Sequence, residues 1–404
     1  MRVAVIGQGY VGLPVSVNAA MAGHSVIGFD INLEVVEGLN SGKSHISDIN
    51  STQIAQLIQS GSYAATSDPD LLADIEVAVI AVPTPLNSER NPDLEFLLSA
   101  SKILGTSLKK STLIINESTS YPGTLRNLIS TEVNKYVDSD IQHLFAVSPE
   151  RVDPGNNLWK IKNTPRLLSG LTEEATALAF NFYSSFCEKI ILVDSPEIAE
   201  TAKLFENTFR QVNIALVNEL SQITHSLNIP INKVIEAAAS KPYGFMKFNP
   251  GLGVGGHCIP VDPTYLAFSA LNSGIETKFI NLANEVNFSQ PKLIAKRICL
   301  DHGGSLSGKK VLICGVAYKA NISDTRESPA ELLVQSLEGL GAKVLWHDPL
   351  VKSWNGQSST DVLGSTFDIV IVNVFHDSMD LESIKKAGSY IFDLSGRISG
   401  AINL

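Results

Sequence analysis

Residues 2–12 read RVAVIGQGYVG, a short apolar run followed at once by glycines at positions 7, 9 and 12. The run predicts a buried parallel strand, and the small and apolar residues after it predict a helix to about residue 22. Glycines at this spacing, between a strand and a helix, let a dinucleotide pyrophosphate approach the helix N-terminus. We therefore expect a dinucleotide to contact Gly7, Gly9, Tyr10, Val11 and Gly12.

A second predicted strand, residues 25–29, ends immediately before Asp30. An acidic side chain at this position accepts a hydrogen bond from the ribose of NAD, and it repels the 2′-phosphate of NADP. The strand, turn, helix, strand and acid occur in the order that dinucleotide binding requires. The sequence therefore predicts NAD as the cofactor.

Apolar runs and helical stretches alternate in the first part of the chain, which is the pattern of a doubly wound parallel sheet. The alternation returns near Lys309, after a glycine-rich stretch at 303–308 that we interpret as a linker. Further strands are predicted at 76–81, 112–116, 143–147, 310–315, 343–347, 368–374 and 390–393, with a helix at 327–339.

A long helix is predicted between these two regions. It starts at Ser195-Pro196-Glu197, where a capping serine, a proline and an acid coincide, and it continues to about Leu227. A helix of this length often joins two domains or forms a dimer seam. We expect an α/β protein with two Rossmann-like doubly wound domains joined by a helical domain, with boundaries at 1–195, 196–302 and 303–404.

Composition excludes several classes of protein. The 404 residues carry a net charge of −10 and no basic stripe, which argues against a nucleic-acid partner. No apolar run is long enough to span a bilayer, and the N-terminus has no signal-peptide pattern. The cysteines at 187, 258, 299 and 314 form no CxxC pair, so neither a disulfide framework nor a metal site is expected. A reducing cytoplasm fits these features best.

Cys258 lies in the run NPGLGVGGHCIPVDP, residues 249–263. Glycine-rich backbone can approach a ligand closely, which a cysteine that only packs in a core does not need. The run is typical of a loop that presents a nucleophile, with Asp262 four residues further on as a partner in acid–base chemistry. The alternative is a buried cysteine after a turn, which is the commoner situation for a single cysteine.

Polar residues follow other predicted strands or share a helical face. Thr84 and the run Glu117-Ser118-Thr119 lie beyond carboxyl ends of strands, where open α/β sheets bind ligands. Lys203 and Asn207 are four residues apart on the long helix, so they can face one developing oxyanion. Ordinary turn chemistry would also explain the first pair, and a solvated helix face would explain the second.

Two further loops carry charge. The run SPERVDPG, residues 148–155, leaves a strand and places Glu150 where a general base would lie, although ordinary turn charges remain an alternative. Lys319 and Arg326 follow the first strand of the second α/β region and suit phosphate binding. Because this region has Gly315 but no GxGxxG, we expect it to bind a nucleotide in another way, or to bind a different nucleotide.

In these motifs the chain resembles the UDP-glucose/GDP-mannose dehydrogenase family, whose members oxidise the C6 hydroxymethyl of a nucleotide sugar to a carboxylate. The markers are GQGYVGLP, EST, SPERVDPG, AKLFENTFRQVNIALVNE, GVGGHCIPVDP and YKANISDTRESP, and they cover essentially the whole chain. The resemblance implies an N-terminal NAD domain, a central helical dimer-forming domain and a C-terminal UDP-binding domain. It is greatest to the branch that acts on UDP-N-acetylhexosamines, and UDP-N-acetylglucosamine is the substrate we expect.

The resemblance also implies roles for individual residues. Cys258 would be the nucleophile of a two-step oxidation, and Lys203 and Asn207 would hold the oxyanion. Thr119 and Asp262 would support proton transfer. The remaining implied roles are thioester hydrolysis for Glu150, NAD contacts for Thr84, Thr119 and Arg326, and substrate contacts for Glu150, Arg151, Val152, Lys203, Asn207, Lys241, Gly253, Gly255, Gly256 and Lys319.

The chain departs from the family pattern at two places. Pro154 stands where the glucose branch has a second glutamate, and Lys241 or Lys247 stands where many relatives have an arginine. These departures leave UDP-N-acetylmannosamine and UDP-glucose as alternative substrates. Two further functions also stay open: a single-step 3-hydroxyacid dehydrogenase, which likewise has a lysine and an asparagine four apart, and a non-catalytic nucleotide-sugar sensor. The product would serve surface polysaccharide synthesis, and the protein would be a homodimer or a higher oligomer.

Overall fold

The computed structural model of the protein describes residues 1–46, 49–153, 156, 158–362 and 364–404. The chain divides into two compact units. The first comprises Met1–Glu206 with Thr264–Ser273, and the second comprises Asn207–Pro263 with Gly274–Leu404. Each unit contains its own parallel sheet, so each is described separately.

The first unit is built on an eight-stranded sheet, in which the central strands are apolar and fully buried. Strand order is β3-β2-β1-β4-β5-β6-β7-β8, and neighbouring strands are parallel except for the antiparallel pair β6 and β7. The strands are β1 (Arg2–Ile6), β2 (Ser25–Phe29), β3 (Tyr63–Thr66), β4 (Val77–Ile80), β5 (Leu113–Asn116), β6 (Leu144–Val147), β7 (Arg166–Gly170) and β8 (Ile190–Leu192).

The strand order reverses between β1 and β4, which lie side by side although two strands separate them along the chain. In open α/β sheets, ligands bind beyond the carboxyl ends of strands at this reversal. Apolar cores lie on both faces of the sheet, under the connecting helices. Those helices are α1 (Gly12–Met21), α2 (Leu33–Asn40), α3 (Ser51–Gln59), α4 (Glu95–Ser107), α5 (Ser130–Asn134) and α6 (Glu173–Ser184).

The second unit contains a four-stranded parallel sheet in the order β10-β9-β13-β14 and a two-stranded hairpin. Its order reverses between β9 and β13, and its core is formed by buried aliphatic residues together with Trp346 and Phe392. The strands are β9 (Lys310–Cys314), β10 (Lys343–His347), β11 (Ser353–Trp354), β12 (Gln357–Ser358), β13 (Phe367–Val372) and β14 (Gly388–Asp393).

Helices form the rest of the second unit and continue into the first. Side-chain amides link two of them in three pairs: Gln211 with Asn284 (2.5 Å), Asn218 with Asn287 (3.1 Å) and Gln222 with Gln290 (3.2 Å). The helices are α7 (Pro196–Ser226), α8 (Ile231–Ala239), α9 (Asp262–Asn272), α10 (Lys278–Asp301), α11 (Ala330–Gly339) and α12 (Leu381–Lys386).

The α/β class and the doubly wound sheets are confirmed, and each strand predicted from apolar runs is present within one or two residues at either end. The helix predicted at 327–339 begins later, at Ala330, because Glu327 has a φ of +50° and therefore cannot start a helix. Strands β3, β7, β8, β11 and β12 were not predicted, since they are short or, in β7, begin with a charged residue, Arg166. The three domain boundaries remain predictions.

Candidate active site

The glycine turn after β1 combines one open position with two crowded ones. Gly7 has a φ of +90°, and a Cβ on it would lie 2.5 Å from the carbonyl oxygen of Ala81. A Cβ on Gly12 would lie 1.8 Å from the carbonyl oxygen of Gly7. Gly9 is exposed, and a Cβ on it would have no atom within 4 Å. The crowded glycines hold the helix against the strands, and the open one leaves room for a phosphate group.

Asp30 lies at the carboxyl end of β2, beside this turn. Its carboxylate accepts hydrogen bonds from the backbone amides of Gln8 (2.8 Å) and Asn32 (2.9 Å). A carboxylate has about four acceptor positions, so two remain for ribose hydroxyls. Tyr10 and Val11 are half-buried at the entry to α1. These residues fit the adenosine and pyrophosphate groups of NAD.

Thr84 and Thr119 follow β4 and β5, the next two strands beyond β1 in the sheet. Both are half-buried. The structure therefore brings the predicted cofactor residues of the first unit to the same edge of the sheet.

A buried charge cluster lies at the ends of β5 and β6. Glu117 is fully buried, and its Oε1 pairs with a guanidinium nitrogen of Arg166 at 2.9 Å. The other terminal nitrogen of Arg166 lies 3.2 Å from Oε2 of Glu150. Tyr183 on α6 donates its hydroxyl to Glu117 at 2.5 Å, and its ring stacks on Arg166 at 4.5 Å. Burial raises the pKa of Glu117 to about 7, although Arg166 and Tyr183 favour the ionised form.

Sequence reasoning missed Arg166 and Tyr183. A signal for Arg166 was available, since an arginine within the apolar strand RLLSG is expected to find a buried carboxylate. No comparable signal marks Tyr183, because a tyrosine on an apolar helix face is ordinary core.

The loop after Glu150 is held by charges within the first unit. Arg151 pairs with both carboxylate oxygens of Glu206, at 2.5 and 3.0 Å, and donates to the carbonyl of Pro165. The backbone amide of Val152 donates to Glu150. The guanidinium of Arg151 is thus already paired with a carboxylate. Pro154 lies outside the described residues.

Lys203 and Asn207 lie one turn apart on α7, as their spacing predicts. Lys203 is buried, with 9% of its surface exposed. Its ammonium makes no hydrogen bond or ion pair to another residue that the structure describes. A buried, uncompensated amine is costly. It is therefore available to an anionic or carbonyl group of a ligand.

In the second unit, Asn207 donates its amide to Asp262 Oδ2 at 2.5 Å. Asp262 is buried at the start of α9, and its backbone amide donates to the carbonyl of Cys258 at 2.8 Å. The structure therefore joins three of the predicted catalytic residues through a side-chain bond and one helical turn.

Cys258 differs from the other three cysteines in accessibility. It is half-buried, whereas Cys187, Cys299 and Cys314 are buried. Burial raises the pKa of the Cys187 thiol to about 11 and that of Cys314 to about 12. Because a thiolate is the reactive form, these two cysteines are poor nucleophiles at neutral pH.

The glycines before Cys258 pack against the loop that follows β9. Gly253 has a φ of +124°, and a Cβ on Gly255 would lie 2.7 Å from the Cβ of Tyr318. Gly256 donates its amide to the carbonyl of Arg326 at 3.1 Å. Only glycine permits this approach, so the two predicted substrate loops form one structure within the second unit.

Three further cations predicted to contact ligands differ in their contacts and in their exposure. The Arg326 guanidinium pairs with Asp324 at 2.6 Å and contacts the ring of His257 at 3.2 Å. Lys319 is half-buried in the loop after β9. Lys241 is exposed, with its ammonium 5.1 Å from the centre of the Tyr243 ring. Of the three cations, Arg326 and Lys319 lie in or beside the glycine-rich structure.

The second sheet repeats part of the first one's nucleotide turn. Gly315 has a φ of +82° and approaches Val374 across the strand reversal, as Gly7 approaches Ala81. Asp348 follows β10, in the place that Asp30 takes after β2. Unlike Asp30, Asp348 is buried and accepts five hydrogen bonds, from His376 Nε2 (3.0 Å) and the amides of Val316, Ala317, Leu350 and Val351.

The chain belongs to the UDP-glucose/GDP-mannose dehydrogenase family. The family's NAD binding domain matches residues 1–187, its central domain residues 197–289, and its UDP binding domain residues 312–399. The chain is therefore an oxidoreductase of the NAD-dependent UDP-sugar dehydrogenase class.

The chain is similar to two named relatives and to one solved structure of the family. A UDP-N-acetyl-D-mannosamine dehydrogenase of Pyrococcus horikoshii is 33% identical, over 98% of this chain and 95% of its own. A UDP-N-acetyl-D-glucosamine 6-dehydrogenase of Salmonella typhi is 32% identical, over 98% and 96%. The structure of a UDP-D-ManNAc dehydrogenase from Pyrococcus horikoshii superposes with a TM-score of 0.88 at 31% identity, covering 100% of this chain and 98% of that one.

Two kinds of feature are absent from the described part of the chain. None of the helices there combines the length and apolar character needed to cross a membrane. No group of three or more His, Cys, Asp or Glu side chains among the described residues is arranged to hold a metal ion.

Proposed function

We propose that the protein oxidises the C6 hydroxymethyl of a UDP-N-acetylhexosamine to a carboxylate in two NAD-dependent steps, with UDP-N-acetylglucosamine as substrate. The observation that carries the proposal is the half-buried thiol of Cys258, tied through Asp262 to Asn207. Relatives named for the N-acetylglucosamine and N-acetylmannosamine compounds support the substrate class. The mannosamine compound is the second candidate. The product would supply a surface polysaccharide.

The chemistry needs a covalent nucleophile because an aldehyde has no second hydride to give until something adds to its carbon. When bound, NAD accepts the hydrides. The Cys258 sulfur adds to the aldehyde carbon, and the resulting thiohemiacetal loses its hydride to become a thioester. Water then adds to the thioester, the carbon–sulfur bond breaks, and Cys258 leaves as thiolate. One sugar, one water and two NAD give one uronate, two NADH and three protons.

Residues of the chain supply oxyanion stabilisation, proton transfer and ligand binding. Lys203 and Asn207 stabilise the oxyanion, and Asn207 is oriented by its bond to Asp262. Thr119 and Asp262 relay protons through water. Glu150 accepts the proton of the hydrolytic water. We assign UDP binding to the glycine-rich loop and Lys319, a sugar contact to Lys241, and an NAD contact to Arg326.

A substrate panel tests this function. The enzyme is given UDP-N-acetylglucosamine, UDP-N-acetylmannosamine or UDP-glucose with excess NAD, and NADH is counted per sugar consumed. We expect a yield of two NADH with UDP-N-acetylglucosamine and the uronate as product, with NADP a poor substitute because Asp30 repels its phosphate. A yield of one, with aldehyde accumulating, would instead indicate a single-step dehydrogenase. Absence of turnover with all three sugars would indicate a sensor.

We also propose that the protein is a homodimer that pairs through α7 and α10. Large apolar side chains on these helices are exposed, including Leu216 (61%) and Ile223 on α7 and Phe279 (78%) and Leu282 on α10. An apolar surface of this kind on two neighbouring helices commonly marks an interface.

Sedimentation or light scattering of the whole protein should therefore give twice the 43.4 kDa chain mass. The double variant Leu216→Glu with Leu282→Glu should shift the protein to monomer, because burying two carboxylates in the interface is costly. The matched control is Leu71→Glu, which changes a leucine in the first unit that is 51% exposed, close to Leu282 at 55%. A monomeric wild-type protein would contradict the proposal.

A further inference from the structure

We propose that Glu117 is a positioning residue that, through Arg166, sets how readily Glu150 accepts a proton from the water that hydrolyses the Cys258 thioester. This proposal rests on the function proposed above. Glu117 lies in the EST motif, to which that function assigns only Thr119.

The first step of the argument is that one cation is shared by two carboxylates. Arg166 reaches Glu117 with one terminal nitrogen (2.9 Å) and Glu150 with the other (3.2 Å). Its first nitrogen also lies 3.2 Å from the Ser148 hydroxyl, so the guanidinium is fixed in place. Glu150 is more accessible than its partners, with 13% of its side chain exposed against 5% for Arg166 and none for Glu117. Two carboxylates therefore share the positive charge of Arg166, and Glu150 is the more accessible of the two.

The second step is that Glu117 has few ways to stabilise its charge. The groups that face it are Arg166 on β7, Glu150 after β6, and Tyr183 on α6, with Cys187 near Arg166. Oε2 of Glu117 is buried and has no hydrogen-bond partner among the described residues. A buried carboxylate oxygen without a partner favours the protonated acid. The pKa of about 7 agrees with this geometry and places the change of charge in the neutral range.

The two charge states of Glu117 have opposite effects on Glu150. Below neutral pH, Glu117 is protonated, so Arg166 forms an ion pair with Glu150 only. This ion pair stabilises the Glu150 carboxylate and makes Glu150 a weaker base. Above neutral pH, ionised Glu117 competes for Arg166 and repels Glu150, so Glu150 takes a proton more readily. Thioester hydrolysis should consequently accelerate as the pH rises through about 7.

The test follows hydrolysis directly. Enzyme is mixed with UDP-N-acetylglucosamine and NAD, quenched in acid, and the acyl-Cys258 peptide is followed by mass spectrometry at a series of pH values. Glutamine mimics the protonated acid, so Glu117→Gln should show no step near neutral pH. Its acyl-enzyme should decay about tenfold more slowly than that of wild type above about pH 8 and at the wild-type rate below about pH 6. The first NADH release should be unchanged.

A second variant, Tyr183→Phe, tests the proposal independently in case Glu117→Gln does not fold. The Tyr183 hydroxyl stabilises the ionised form of Glu117, so Tyr183→Phe should move the step upward by about one pH unit, the worth of one hydrogen bond. The matched controls are Glu132→Gln and Tyr136→Phe, because these residues form a similar phenol–glutamate bond (3.1 Å) on the surface. Glu200, whose pKa burial also raises to about 7, stays intact in both test variants.

Three outcomes would count against the proposal in distinguishable ways. A rate ratio between Glu117→Gln and wild type that does not change with pH would reduce Glu117 to a structural role. If the acyl-enzyme decays slowly in Glu150→Gln but at the wild-type rate in Glu117→Gln, Glu150 acts in hydrolysis and only the influence of Glu117 through Arg166 is overturned. If wild type, Glu117→Gln and Glu150→Gln all form no acyl-Cys258 peptide, the thioester route itself fails.

Discussion

Replacing Cys258 with alanine should abolish uronate formation while leaving NAD binding intact. Loss of a covalent nucleophile lowers turnover by about 10⁴-fold or more in well-studied enzymes. Without the thiol, the aldehyde cannot become a hydride donor, so NADH cannot exceed one per sugar. The thiol lies in the second unit, whereas the glycine turn and Asp30 lie in the first. The NAD dissociation constant should therefore match that of wild type, which calorimetry would establish.

The matched control is Cys299→Ala. Cys299 is buried on α10, so its loss should lower stability slightly and leave the yield at two NADH per sugar. Iodoacetamide should label wild type at Cys258 first, since the other thiols are buried. Formation of uronate by Cys258→Ala at the wild-type rate would exclude the thioester route.

A pair of glycine variants should separate folding from cofactor binding in the first unit. In Gly12→Ala the new methyl group would lie 1.8 Å from the carbonyl oxygen of Gly7, a backbone atom that cannot move away easily. We expect a loss of about 3 kcal/mol or more, the upper range for overpacking, and a melting midpoint lower by about 10 °C. In Gly9→Ala the methyl group meets no protein atom within 4 Å, so the midpoint should stay unchanged.

The same Gly9→Ala variant should nevertheless lose most of its affinity for NAD, because the methyl group occupies the space left for the pyrophosphate. Gly38→Ala on α2 is the control, since it also adds a methyl group in open space but lies away from the turn. Calorimetric titration with NAD and a thermal melt measure both quantities on the same samples. Wild-type NAD affinity in Gly9→Ala would show that the pyrophosphate lies elsewhere.

The sequence was sufficient to predict the elements that carry strong periodic signals. Residues 2–12 specify a strand and a glycine turn by their order, and the small and apolar residues that follow specify α1. Helix α7 begins where Ser195-Pro196-Glu197 predicts. Strand β8 could not be predicted in this way, because it has three residues and two of them, Ile191 and Leu192, are exposed at the sheet edge.

The sequence predicted individual residues of the candidate site but not the contacts between residues that are distant along the chain. The spacing of Lys203 and Asn207 predicts a shared helical face, but the bond from Asn207 to Asp262 joins residues 55 positions apart. The cluster of Glu117, Arg166 and Tyr183 depends on the antiparallel pairing of β6 with β7 across a long connection, which no local pattern predicts. Long-range pairing of this kind is set by tertiary packing rather than by local propensity.

The fully hydrogen-bonded carboxylate of Asp348 bears on which nucleotide the second unit can bind. All the acceptor positions of Asp348 are occupied by His376 and four backbone amides. No acceptor remains to read a ribose in the manner of Asp30. We therefore expect NAD to bind the first unit and not the second, so that the two nucleotide-binding domains of one polypeptide do not compete for the same dinucleotide. On this expectation, abundant NAD would not inhibit binding of the uridine nucleotide to the second unit.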